Sequence, residues 1–259
     1  MPLNDEVPIA QGTTNDDFTA VSTGLTYQAD TYTLASRLET RNAATEHKVG
    51  VIVNWERKLI EGVAYGLSTQ LFDTDRADGS STIDGDIRLS LAYRPNSSNW
   101  ITLDRLEYKH DEEESASGVT LRQRKLVNNI VTNYKPNHEN QLSINYGVKY
   151  VIDNFDGDEY NGMTHLLGTE YRHDFTKLID FGLHAHTLYS GNSNTSLYST
   201  GLSMGFQLAK NIWLSLGYNF DGFDDRDFSD ASYTAQGPYL QFRMKFDQNS
   251  GEEIKHWFK

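Results

Sequence analysis

Two histidines, His184 and His186, stand two residues apart in the stretch GLHAHTL. In an extended chain that spacing puts both imidazoles on one face, and same-face histidines can share a metal ion. No third ligand is identifiable near them, so the expectation is a pair of polar side chains with no metal and no cofactor. Upstream, Glu170, Arg172 and Asp180 fall on the same face when 162–174 is laid antiparallel to 178–189, with Arg172 opposite Asp180. The five residues Glu170, Arg172, Asp180, His184 and His186 form a candidate charge cluster, holding structure or selecting ions.

The acid-rich stretches DNFDGDEYNG and DGFDDRDFSD offer carboxylates for Ca²⁺, or for Mg²⁺ bridging lipopolysaccharide. Neither fits the spacing of an EF-hand loop, and a solvated acidic loop is the plainer expectation. A protease would need paired acids with a histidine, and a lipase a serine with a histidine. Nothing places a nucleophile, a base and an orienting group together, so no catalytic residues are assigned and an enzyme is not expected.

The 259 residues carry a formal charge of −13, which argues against nucleic acid as a partner. There is no cysteine, hence no disulfide and no thiolate metal site. No run approaches the ~18 uninterrupted apolar residues of a membrane helix, although alternating strands would hide a membrane signal from such a count. The start, MPLNDEVPIAQG, has neither a basic segment nor an apolar one, and it does not read as a signal peptide. If the protein is exported, the chain reads as a mature form or as one domain of a longer precursor.

The elements that must position these residues are strands. In YSTGLSMGFQL the residues Leu202, Met204, Phe206 and Leu208 alternate with Ser199, Gly201, Ser203, Gly205 and Gln207. Period two defines a strand with two unlike faces. About thirteen such segments recur: 18–28, 31–41, 46–56, 61–72, 84–94, 100–110, 120–134, 140–151, 162–174, 178–189, 197–209, 212–221 and 236–246. Their lengths suit tilted membrane strands, at roughly 9–11 residues. Short connections (29–31, 57–60, 95–99, 135–140, 175–177, 210–211) alternate with long acidic ones (73–82, 110–118, 153–162, 221–232), the short 42–45 excepted. That is the layout of an outer-membrane barrel, whose even strand number favours twelve or fourteen.

Two further hairpins test the register. Pairing 31–41 with 46–56 sets Tyr32 opposite Trp55, Leu34 opposite Val53 and Leu38 opposite Val49. The other face then pairs Arg41 with Glu46 and Glu39 with Lys48. Pairing 197–209 with 212–221 sets Phe206 on Leu214, Met204 on Leu216 and Leu202 on Tyr218. Behind them come Gly205 on Ser215, Ser203 on Gly217, Gly201 on Asn219 and Ser199 on Asp221. Each hairpin separates an apolar face from one of glycine, serine and isolated charges of both signs. Small residues and paired charges suit a confined wet interior, and Tyr or Trp near segment ends suits a membrane-interface girdle. The last segment, with Leu240, Phe242, Met244 and Phe246 alternating, is similar to the aromatic-ended strand by which such barrels are recognised for assembly.

Several stretches resemble a known family: RLETR, LSLAYRP, LDRLEYKHD, RKLVNNIVTNYKP, LSINYGVKYV, LLGTEYRHDF, LSLGYNFDGFDDRDF and YTAQGPYLQFRMKFDQ. Over about 25–247 the chain resembles the C-terminal outer-membrane β-barrel domain of large Gram-negative, repeat-containing surface proteins. The resemblance implies a membrane anchor and carries over no catalytic residue.

The expected fold is therefore an all-β, transmembrane, antiparallel up-and-down barrel of about 12–14 strands in a bacterial outer membrane. Residues 1–16 are expected as a linker or remnant of an upstream region, 17–246 as the barrel and 247–259 as a periplasmic tail. The expected role is an anchor, and an export path, for a large region on the same polypeptide. A porin-like channel and an outer-membrane hydrolase are the alternatives. Expected partners are membrane lipid, lipopolysaccharide, the barrel assembly machinery and the passenger region.

Overall fold

The computed structural model describes residues 17–209, 212–224, 227–228, 232–233 and 236–244. Expectations resting on 1–16, Phe246 and 247–259 lie outside the described residues. The strands are β1 (Phe18–Gln28), β2 (Tyr32–Ala43), β3 (Glu46–Ile60), β4 (Val63–Arg76), β5 (Ser81–Tyr93), β6 (Trp100–Glu114), β7 (Thr120–Tyr134) and β8 (Asn140–Phe155). They continue with β9 (Asp158–Asp174), β10 (Ile179–Ser190), β11 (Thr195–Ala209), β12 (Ile212–Asp221), β13 (Phe223–Asp224), β14 (Ser232–Tyr233) and β15 (Gly237–Met244). Strands β1 to β12 and β15 hydrogen-bond in chain order as one thirteen-stranded up-and-down sheet, and β13 pairs with β14. The chain falls into two compact units. One takes the residues up to Thr132 with Tyr146–His165 and Tyr189–Thr195; the other takes Asn133–Asn145, Leu166–Leu188 and the chain from Ser196.

In the first unit the two faces of the sheet differ sharply. On one lie Leu38, Val49, Leu71, Ile87, Leu89, Leu91, Leu106 and Tyr108, all exposed. On the other lie Glu39, Arg41, Thr74, Asp86, Glu107 and Asn129, all buried. The second unit repeats the pattern. Leu183, Leu202, Met204 and Leu216 are exposed, while His184, His186, Ser199, Ser203, Ser215 and Asn219 are buried. Among the described residues forty-two large hydrophobic side chains are exposed and eight hydrophobic ones are buried. A water-soluble protein of this size reverses those numbers, so the solvent of the apolar face is lipid.

Aromatic residues mark the ends of that face. In the first unit Tyr27, Tyr32, Trp55, Tyr65, Tyr93 and Trp100 all lie within six residues of the connections 29–31, 61–62 and 94–99. Tyr27 and Tyr32 pack at 5.6 Å and Trp55 meets Tyr65 edge-on at 5.2 Å. Amphipathic rings settle where hydrocarbon gives way to headgroups.

Three expectations are corrected. The β2–β3 register is displaced by two residues. Arg41 lies opposite Lys48, Glu39 opposite Gly50, Tyr32 opposite Arg57, Leu34 opposite Trp55 and Leu38 opposite Val51. The strands run on to Ala43 and Glu46, so the turn is the dipeptide Ala44–Thr45 rather than four residues. An even displacement keeps each residue on its face. Three of the long acidic loops, 73–82, 110–118 and 153–162, are also mostly strand, while part of the fourth, 221–232, lies outside the described residues. β4 runs to Arg76, β6 to Glu114 and β8 to Phe155, leaving turns at 77–80, 115–119 and 156–157. Their acids alternate along paired strands, where cross-strand partners hold them: Arg122 grips Glu112 with two bonds of 2.7 and 2.8 Å, and Gln123 donates to Asp153 at 2.6 Å.

The β11–β12 register has Leu202 on Tyr218, Met204 on Leu216, Phe206 on Leu214, Ser203 on Gly217 and Gly201 on Asn219, as the sequence pairing gives. An irregularity between Thr200 and Gly201 then sets Asp221 opposite Thr200, not Ser199.

Candidate functional site: the polar face of the sheet

Within the first unit, charges of the polar face are matched inside the wall. Glu39 takes Arg37 at 3.1 Å, and Arg41, only 1% exposed, reaches Glu46 at 3.4 Å. That ion pair is diagonal across β2 and β3, since Lys48 occupies the place opposite Arg41. Arg41 also lies over the Phe18 ring at 4.2 Å, and Lys48 over Phe72 at 4.9 Å. Glu39 and Lys48 are not opposite one another, because Gly50 faces Glu39.

Glu107 on β6 is the hub of a second group. Its carboxylate, 3% exposed by residue, takes Arg88 at 2.6 Å, Lys109 at 3.6 Å and Arg105 at 3.8 Å. Arg88 also holds Asp86 at 3.4 Å. Sequence reading missed this group. The signal was present, because Asp86 and Arg88 share one parity on β5, and Arg105, Glu107 and Lys109 share one on β6.

Within the second unit, Arg172 bridges two carboxylates: Nε to Glu170 at 2.6 Å and Nη1 to Asp180 at 2.5 Å. His184 and His186 follow Asp180 along β10, with ring centroids 5.6 Å apart. Among the described residues no group of three or more His, Asp or Glu is arranged to hold a metal ion.

Glycines make room for these side chains. A Cβ at Gly205 would stand 2.4 Å from Asp180 Oδ2, one at Gly201 2.5 Å from the His184 ring, and one at Gly168 2.1 Å from the His186 ring. Gly217 accommodates Tyr239 in the same way, and in the first unit Gly50 accommodates Phe72. The alternating glycines are thus seats into which a bulky neighbour lies flat against the wall. This packing leaves charged groups paired or covered; no nucleophile and base are brought together among the described polar-face residues.

The β15 residues Leu240 and Phe242 are exposed on the apolar face, paired with Leu216 and Leu214 of β12. Met244 is the last residue of the strand, opposite Ile212.

No family model matches the chain, and no curated protein matches it. Solved structures do. The siderophore receptor PirA from Pseudomonas aeruginosa matches over 89% of this chain and 50% of its own, with a TM-score of 0.65 and 7% identity. The ferric enterobactin receptor PfeA from the same organism, as its G324V mutant, matches over 78% and 41%, with a TM-score of 0.63 and 8% identity. The RagAB peptide transporter matches over 89% and 40%, with a TM-score of 0.53 and 8% identity. The chain spans half or less of the length of these three structures. At these identities the likeness is one of fold. The fold, with its lipid-facing exterior, is that of the bacterial outer-membrane β-barrels, antiparallel and up-and-down.

Proposed function

We propose that this chain is an outer-membrane anchor: a β-barrel that holds a large region of the same polypeptide at the cell surface or in the periplasm. The observation that carries the reading is the neutralisation of the polar face within the wall. Arg41, Glu39 and Glu107 are buried, and each is ion-paired. A channel that selects solutes presents its charges to water in the path; a wall built to last matches them against each other. In this reading Glu170, Arg172, Asp180, His184 and His186 are wall-stabilising lumen residues, as are Arg41, Glu46, Glu39 and Lys48. The segment 1–16 joins the passenger, and 247–259 is a periplasmic tail. Strand β15, with Leu240 and Phe242 outward, is the part offered to the assembly machinery. Lipopolysaccharide packs against the outer leaflet of the apolar face.

A second reading, a porin-like channel, is favoured by one observation. Arg88, Arg105 and Lys109 gather round Glu107, with Asp86 beside Arg88, and keep about a third of their side-chain surface accessible. Planar-bilayer conductance separates the two, after a heat-dependent gel shift establishes the folded barrel. The anchor reading expects a folded, inserted and electrically silent protein. Stable open steps whose anion preference falls on Arg88→Gln would replace it with the channel.

A further inference from the structure

On β6 to β9 the apolar face carries hydrogen-bonded pairs of polar side chains. On β6 its members are Trp100, Thr102, Asp104, Leu106 and Tyr108, so Asp104 lies four residues from each bracketing aromatic. At the usual rise and tilt those eight steps cover roughly 20 Å of membrane, which puts the Asp104 carboxylate near mid-depth. Asp104 stands on the apolar face: it pairs with exposed Leu91 and shares its parity with exposed Leu106 and Tyr108, while Glu107 points the other way. Asn128 on β7, sharing parity with exposed Leu126, donates Nδ2–H to Asp104 Oδ1 at 2.7 Å and to the Arg105 carbonyl at 3.2 Å. With both amide hydrogens engaged, what this pair turns to the membrane is acceptors: the second carboxylate oxygen and the Asn128 carbonyl.

Two strands on, a second polar pair crosses the same face. The Tyr146 hydroxyl on β8 lies 3.2 Å from His165 Nδ1 on β9. In either tautomer the pair keeps one donor to present: the His165 Nε2–H where Nδ1 accepts from the tyrosine, or the Tyr146 O–H where Nδ1 donates to it. Asn128 is six residues from Tyr134 and His165 six from Tyr171, counted along their strands.

We infer that the β6–β9 face is the interface of a homodimer within the membrane. A two-fold axis along the membrane normal, passing between β7 and β8, preserves depth and exchanges β6–β7 of one copy with β8–β9 of the other. The acceptor pair Asp104–Asn128 of each copy then meets the donor pair Tyr146–His165 of its partner, twice, as an isologous contact requires. An ionisable side chain at mid-membrane is costly when it faces lipid, and the donor that relieves it is on this same chain. The inference rests on the membrane reading of the apolar face, and its test keeps the two apart.

The chain has no cysteine, so single thiols can be placed freely. Ile144→Cys on β8 lies beside the proposed axis and Leu216→Cys on β12 lies away from it, both exposed on the apolar face. In outer membranes, a short bis-thiol cross-linker is expected to join Ile144→Cys copies and not Leu216→Cys copies. Adding Asp104→Leu to Ile144→Cys should cut the cross-linked fraction about tenfold, the effect of losing one charge-assisted contact per side. The exchange Asp104→His with His165→Asp should restore it. Equal cross-linking of the two cysteine variants, none in either, or indifference to Asp104→Leu would overturn the dimer. The heat-dependent gel shift is read in every variant: its presence keeps the barrel intact while the dimer fails, and its absence in the unmodified chain sinks the membrane reading instead.

Discussion

The Asp180 carboxylate occupies the space that a side chain at position 205 would fill. One of its oxygens lies 2.4 Å from where a Gly205 Cβ would stand, and the other holds Arg172 Nη1 at 2.5 Å. Backbone proximity on β11 and charge pairing on β9 thus meet at one acid on β10. Gly205→Ala should displace Asp180 from Arg172 and cost about 1–3 kcal/mol, as overpacking does. Gly85→Ala is the control, since its nearest neighbour would be Leu71 Cδ1 at 3.5 Å, an ordinary contact. It should change stability by no more than about 1 kcal/mol. Urea unfolding in lipid vesicles, followed by tryptophan emission, measures both.

Positions 89 and 90 are neighbours in sequence with opposite surroundings. Leu89 is 50% exposed, between Leu67 and Leu106 on the apolar face. Ser90 is on the polar face opposite Gly66 and Arg105. Leu89→Arg should lose about 2–4 kcal/mol in a bilayer, the cost of a cation near the midplane. Ser90→Glu, which would face Arg105, should be tolerated. Equal effects at both positions would remove the argument for a lipid-facing side.

Glu107 compensates three cations, so Glu107→Gln should leave Arg88, Arg105 and Lys109 repelling one another. The expected loss is about 1–3 kcal/mol, typical of a hydrogen bond to a charged group. Added salt should recover part of it by screening. Unfolding midpoints at low and high ionic strength check both statements.

The turn after β4 offers a proton-linked readout outside the membrane. Asp78 Oδ1 accepts from the Ser80 hydroxyl at 2.7 Å and from the Ser80 N–H at 2.9 Å, and these bonds hold its carboxyl below the ordinary value. A depressed value means the turn is favoured above the titration of a free aspartate, and that advantage fades as pH falls through the folded value. Ser80→Ala should move the Asp78 carboxyl titration, followed by carbon NMR, back upward.

Much of the wall was legible because period two is a strong signal. Phe18–Gln28, Thr120–Tyr134 and Ile212–Asp221 coincide with the segments read from alternation. Register was harder. The shift at β2–β3 turns on whether Asn42 and Ala43 belong to a loop or a strand, and side-chain alternation is blind to a displacement of two. The acidic runs misled because charge was read as loop. Asp156 and Gly157, both at positive φ, were the overlooked cue, since Asp-Gly between alternating segments marks a tight hairpin. The Glu107 hub was missed because its members come from two strands and meet only once register is set. Asp104 was hidden inside a stretch, LDRLEYKHD, in which a leucine stands on each face.

The glycine seats also act as a key for alignment during assembly. Asp180 lies at Gly205 and His184 at Gly201, the same offset between β10 and β11. A slip of two residues would keep every side chain on its proper face, and burial alone would not punish it. It would, however, drive Asp180 against Ser203 or Gln207 and His184 against Ser199 or Ser203, where a side chain already stands. The wall therefore proofreads its own register by shape, at the smallest step that polarity leaves unguarded.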